Sequence, residues 1–80
     1  MKKIEVYTRP GCSYCVSAKR LLTKEGLGFI EHDTASQPDK LNELRQKSRL
    51  RTFPQIFIDD QLIGGFDDLV EYKQTQNLVN

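Results

Sequence analysis

Two thiols separated by two residues, Cys12 and Cys15, are the side chains of this sequence best suited to chemistry. They close the run Tyr7-Thr8-Arg9-Pro10-Gly11-Cys12-Ser13-Tyr14-Cys15. A C-x-x-C pair can form a disulfide, bind a metal or ligate a cluster. A structural zinc site wants four ligands, and this sequence offers two cysteines and one histidine, His32. The bland alternative is two small buried hydrophobes that happen to fall at this spacing. Helix position separates these readings. Residues three apart on a helix share a face, so Cys12 at an N-terminus and Cys15 one turn in can meet at disulfide distance. Cys12 is then expected to point off the open helix end, and Cys15 to turn back under the first turn. That asymmetry suits an attacking thiol and a resolving thiol. Free N–H groups and the helix dipole favour a thiolate at Cys12. A favoured thiolate is more populated but intrinsically less nucleophilic; these effects nearly cancel, and the net gain is in leaving-group quality.

The elements needed to place the pair are legible around it. Lys3 to Thr8 reads as a strand, with Ile4 and Val6 alternating against Glu5 and Tyr7. Pro10-Gly11 breaks it, and a helix follows from about Ser13 to Glu25, carrying Cys15, Ala18 and Leu22 on one stripe with Leu21 beside it. Gly26 stops that helix, and Gly28 to Asp33 gives a second strand. Such a strand–helix–strand unit is a right-handed crossover between parallel strands. Pro38 opens a second helix to Lys47, with Leu41 and Leu44 facing inward. Gln55 to Asp59 is a third strand, apolar enough in Ile56-Phe57-Ile58 to be covered on both faces. Asp59-Asp60-Gln61 turns the chain into a short fourth strand at Leu62-Ile63, and Asp67 or Asp68 caps a final helix to about Leu78. The order βαβ-α-ββ-α implies an α/β fold: a four-stranded mixed sheet flanked by three helices.

Eighty residues make a single domain, 1–80, with a modest core. Twelve basic against eleven acidic residues leave no broad field for nucleic acid or a membrane surface. No apolar run approaches the roughly 18 residues of a membrane helix. The first residues are charged and then alternating, unlike a signal peptide, so a cytoplasmic location is expected. There a lone cysteine pair is more often catalytic or metal-binding than a staple. His32 is expected at the surface.

Three further pieces point to a ligand. The first is Thr52-Phe53-Pro54-Gln55-Ile56-Phe57, a proline directly before a buried strand, where it cannot donate to the ladder. A cis Phe53-Pro54 bond accounts for it and exposes the Phe53 backbone to a peptide-like thiol beside Cys12. The second is Gly64-Gly65-Phe66-Asp67-Asp68-Leu69, where glycines let backbone approach a ligand and a helix start receives an anion. The third is the set of cations Arg9, Arg45, Lys47, Arg49 and Arg51, of which Arg9 and Arg51 adjoin the other pieces. Together they describe a receptor for a thiol with a peptide backbone, two carboxylates and an ammonium, which is the description of glutathione.

On Tyr7-Thr8-Arg9 before Cys12-Ser13-Tyr14-Cys15, on Thr52-Phe53-Pro54-Gln55-Ile56-Phe57-Ile58 and on Gly64-Gly65-Phe66-Asp67-Asp68-Leu69, in this order and spacing, the whole chain resembles the glutaredoxins of the thioredoxin superfamily. The resemblance implies a thioredoxin-like fold and a glutathione-dependent thiol–disulfide oxidoreductase. Cys12 matches the nucleophile and Cys15 the resolving thiol. Tyr14 matches the tyrosine flanking the glutathione sulfur. Arg9, assisted by Arg51, would hold the glycyl carboxylate. Phe53, after Thr52 and before the cis-proline Pro54, would offer backbone to the cysteinyl unit. Phe66 and Asp67, after Gly65, would receive the γ-glutamyl carboxylate, and Asp67 or Asp68 the ammonium. Implied partners are glutathione and glutathionylated or disulfide-bonded proteins, with the chain a monomer. Ser13, Phe53, Phe66 and Arg49 depart from the commonest proline, valine, cysteine and glycine. Ser13 also resembles C-S-Y-C members that hold a 2Fe–2S cluster between two chains through Cys12 and two glutathiones. That cluster carrier is one alternative, and a redoxin reduced by thioredoxin reductase is another. Arg9, Asp67 and Asp68 speak against the second, since that group lacks glutathione-anchoring charges.

Overall fold

The structure is a computed structural model and describes residues 2–75. The chain runs β1 (Ile4–Thr8), α1 (Ser13–Lys24), β2 (Ile30–Asp33), α2 (Pro38–Lys47), β3 (Gln55–Ile58), β4 (Gln61–Gly64) and α3 (Phe66–Thr75). The four strands form one sheet in the order β2-β1-β3-β4. β1 runs parallel to β2 and antiparallel to β3, and β3 runs antiparallel to β4. Element order agrees with the sequence reading, and the differences lie at the ends. β2 starts at Ile30 instead of Gly28, because its register pairs Ile30 with Glu5 and Asp33 with Thr8. The expected last turns of the final helix, to Leu78, fall outside the described residues. No described helix is long and apolar enough to cross a membrane.

The core lies on both faces of the sheet. Ile4, Val6, Ile56 and Ile58 pack with Ala18 and Leu22 of α1 and Leu69 of α3. On the opposite face Tyr7 and Phe57 pack against Leu44 of α2. β1 is therefore not apolar on one side and polar on the other, as its alternation suggests: Tyr7 is fully buried under α2. His32 corrects a second expectation. It is only 7% exposed, its ring centroid 4.7 Å from that of Tyr7, and its Nε2 lies 3.0 Å from Glu5 Oε2. The parallel register that pairs Tyr7 with His32 puts them there. Burial tends to raise the Glu5 pKa, but the His32 hydrogen bond and the cations Lys3 and Lys47 outweigh it and hold the carboxyl low.

Two local devices aim the helices. α1 ends in a Schellman motif: Gly26 takes φ +72°, its N–H reaches Thr23 O, and Leu27 N–H reaches Leu22 O. Between β3 and β4, Asp59 and Asp60 both take positive φ, the signature of a two-residue hairpin turn of type I′.

Candidate active site

Cys12 is the N-cap residue of α1, and this explains the spacing of the pair. An N-cap side chain ordinarily supplies an oxygen to the amide three residues on. Here the acceptor is sulfur: Cys15 N–H donates to Cys12 Sγ at 3.2 Å. The second cysteine thus contributes its amide to the first through the same three-residue step that brings their side chains together. As a thiol, Cys12 Sγ also donates to the Phe53 carbonyl at 3.5 Å. The sulfur therefore accepts on one side and donates on the other.

Cys15 is 2% exposed, beneath the first turn as expected, whereas Cys12 is half-buried at its edge. Burial pushes the Cys15 thiol up from 9.0 to about 11, and the hydrogen bond with Cys12 adds to it. One thiol is accessible and amide-capped, and the other is buried and protonated.

The Phe53–Pro54 bond is cis. Pro54 is buried at the start of β3, and its carbonyl oxygen lies 3.6 Å from where a Cβ on Gly65 would stand. That approach brings the start of α3 beside the Phe53 backbone. Tyr14, Thr52, Phe53, Pro54 and Gly65 to Asp68 consequently line one open cleft of about 380 Å³. Tyr14, 61% exposed, stacks on Phe66 with centroids 6.3 Å apart. Asp67 and Asp68 fall inside the first turn of α3, which begins at Phe66, instead of at the cap position expected for them. Asp68 Oδ2 accepts the Gly65 N–H at 3.0 Å, one half of a capping box.

The cations are divided. The Arg9 guanidinium stands 5.4 Å from the Phe53 ring centroid and lines a second cavity of about 460 Å³ on the other side of Cys12. Thr8, Lys19, Glu31 and Asp33 close that cavity, and sequence reading gave none of them a site role, although Thr8 belongs to the Tyr7-Thr8-Arg9 motif. Thr8 Oγ1 and Lys19 Nζ both donate to Glu31, at 2.7 and 3.0 Å. Arg51 does not line the cleft itself. It lies in an adjoining hollow with Arg45, Ser48, Arg49 and Leu50. Leu50 lines both spaces and was also missed; its only sequence signal is an apolar residue between two arginines.

Known proteins with this arrangement decide the family. The glutaredoxin family model matches residues 4–63. The chain belongs to the glutaredoxin family. It is 40% identical to a glutaredoxin of Neisseria meningitidis over 98% of this chain and 93% of that one. It is 45% identical to glutaredoxin 3 of Escherichia coli, over 86% and 83%. Among solved structures, a buckwheat glutaredoxin–glutathione complex superposes with a TM-score of 0.81 at 26% identity, covering 96% of this chain and 73% of that one. Membership carries thiol–disulfide oxidoreductase activity, in a family that uses glutathione as reductant.

The 2Fe–2S alternative takes one thiol, Cys12, from each of two chains, with two glutathiones as the remaining ligands. Among the described residues no three His, Cys, Asp or Glu side chains gather as a metal site, and Cys15 is sealed under the helix. Cys12 is the single accessible thiol.

Proposed function

We propose that this glutaredoxin reduces glutathione mixed disulfides through Cys12 alone and protein disulfides through Cys12 and Cys15. The observation that carries the proposal is the placement of Cys12 Sγ against the carbonyl of Phe53, a residue that lines the cleft running to the start of α3. Glutathione fits this cleft by chemistry. Its cysteinyl amide would pair with the Phe53 backbone beside Thr52 and Pro54, and Tyr14 would flank its sulfur. Its γ-glutamyl carboxylate would meet the free N–H groups at Phe66 and Asp67, and its ammonium Asp67 or Asp68. Arg9 and Arg51 would attract the glycyl carboxylate. The buckwheat relative bound to glutathione supports the reading.

Cys12 thiolate attacks the glutathione sulfur of a mixed disulfide. The substrate S–S bond breaks, the protein leaves as a thiolate that takes up a proton, and glutathione remains on Cys12. A second glutathione thiolate attacks its sulfur, forming oxidised glutathione and freeing Cys12. With a protein disulfide, Cys12 becomes linked to one substrate sulfur and the other leaves. Cys15 then loses its proton and attacks Cys12, releasing the reduced substrate and closing Cys12–Cys15, which two glutathiones reopen. A reducing cytoplasm would supply that reductant.

The test is turnover of a glutathionylated peptide by glutathione, coupled to glutathione reductase. Cys15→Ser should retain it while losing most protein-disulfide reduction. Turnover by Cys12→Ser would overturn the assignment, and reduction by thioredoxin reductase but not glutathione would replace it with the redoxin reading.

A further inference from the structure

The cleft beside Cys12 has charges of opposite sign at its two ends, although the chain as a whole is nearly neutral. At one end Arg49 and Arg51 flank Leu50, with Arg9 above the Phe53 ring. Among the described residues none of these arginines, nor Arg45, has an acidic partner within ion-pair distance, whereas five lysines do. Asp67 is unpaired in the same sense at the other end, and Asp68 is tied only to the Gly65 N–H. The arginine end is firmly built. Leu50 N–H donates to Ser48 Oγ at 3.1 Å and Leu50 C=O accepts Gln55 Nε2–H at 2.9 Å. Leu50 is nonetheless 47% exposed, an apolar step between the arginine hollow and the cleft.

We propose that this polarity selects protein substrates whose reactive half-cystine is preceded by basic and followed by acidic residues. The proposal rests on the reading of this cleft as the thiol-substrate groove. An extended peptide can add to the free backbone ahead of β3, and antiparallel pairing is the arrangement β3 already makes with both its neighbours. A peptide antiparallel to Thr52-Phe53-Pro54 starts beside Pro54 and the turn into α3, and ends beside Arg51. Residues before its cysteine therefore face Asp67 and Asp68. Residues after it face Arg51, Arg49 and Arg9, with an apolar side chain against Leu50. Cys12 attacks the sulfur held in the cleft. The substrate S–S bond breaks, the other sulfur leaves as thiolate, and the peptide stays linked to Cys12.

Two peptides of identical composition test this, one reading basic–Cys–acidic and the other acidic–Cys–basic. Each is supplied as a mixed disulfide with 5-thio-2-nitrobenzoate, whose release is read by absorbance with Cys15→Ser enzyme. Two complementary pairs at exposed positions should favour the first peptide roughly tenfold at low salt. The gap should collapse at about 1 M salt, where screening reaches about 3 Å. Arg49→Glu should shrink or reverse it. Equal rates, or preference for the reversed peptide, would overturn the polarity. A gap unaffected by salt and by Arg49→Glu would also overturn it. Glutathionylated peptide run in parallel separates the two readings. Turnover of that substrate with no directional preference removes the polarity alone, and preference without that turnover removes the glutathione reading.

Discussion

Burial of Cys15 makes a measurable demand on the fold at high pH. The thiol rises from 9.0 to about 11, first through desolvation and then through its hydrogen bond with Cys12 and the Cys12 charge. A backbone hydrogen bond at Arg9 and the Lys19 charge pull the other way without prevailing. One pKa unit is about 1.4 kcal/mol, so about 2–3 kcal/mol of stability depends on Cys15 staying protonated. The folded value lies above the unfolded one, so the unfolded chain releases its proton first as pH rises. The contribution is therefore complete below pH 9 and lost on the way to about 11. Urea unfolding under reducing conditions, in steps across that window, measures it when wild type is compared with Cys15→Ala. Lysine and tyrosine titrations common to both cancel in the difference. The wild-type advantage should shrink by about 2–3 kcal/mol. Parallel curves would refute the reasoning. Repeating the comparison in a Cys12→Ser background removes the Cys12 share, and most of the shrinkage should survive, because burial is the larger cause. Its disappearance would show that the partner thiol, not desolvation, holds the proton. The same shift bears on turnover. Near pH 7 only about one Cys15 in ten thousand is a thiolate. Cys15 thus leaves the first attack to Cys12 and acts once a mixed disulfide stands beside it.

Gly64→Ala should destabilise the fold by about 1–3 kcal/mol and weaken glutathione turnover. Gly64 takes φ +127°, and an added Cβ would run into the Asp68 carboxylate that caps Gly65, which chemical denaturation and a KM measurement would register. His32→Phe keeps a ring against Tyr7 but removes the partner of a mostly buried Glu5 carboxylate, at an expected cost of about 1–3 kcal/mol in urea unfolding. Thr8→Val should raise the Glu31 pKa in an NMR titration, since the Thr8 hydroxyl is the first cause holding that carboxyl below its usual range, ahead of partial burial and Lys19.

The sequence by itself determined the features that depend on neighbours along the chain. Cys12 and Cys15 are an N-cap and the amide three residues on, so their relation follows from one helical turn. The stops at Gly26 and Asp59-Asp60 are set by backbone preference, and the buried strand by its apolar run. The order of elements and the sites of the two glutathione-directed motifs could be placed from such local rules. Features requiring two distant segments could not. His32 looked like a surface residue because nothing near it in sequence is Glu5 or Tyr7; the parallel register of β1 with β2 brings them together. The burial of Tyr7 could not be read from alternation, which shows that a strand has two faces, not that a helix covers the second. Only the tertiary structure separated Arg51 from the cleft lining, set Leu50 between cleft and hollow, and gathered unpaired arginines at one end opposite Asp67 at the other. A net charge sums over the chain, whereas a field depends on where folding leaves each charge without a partner.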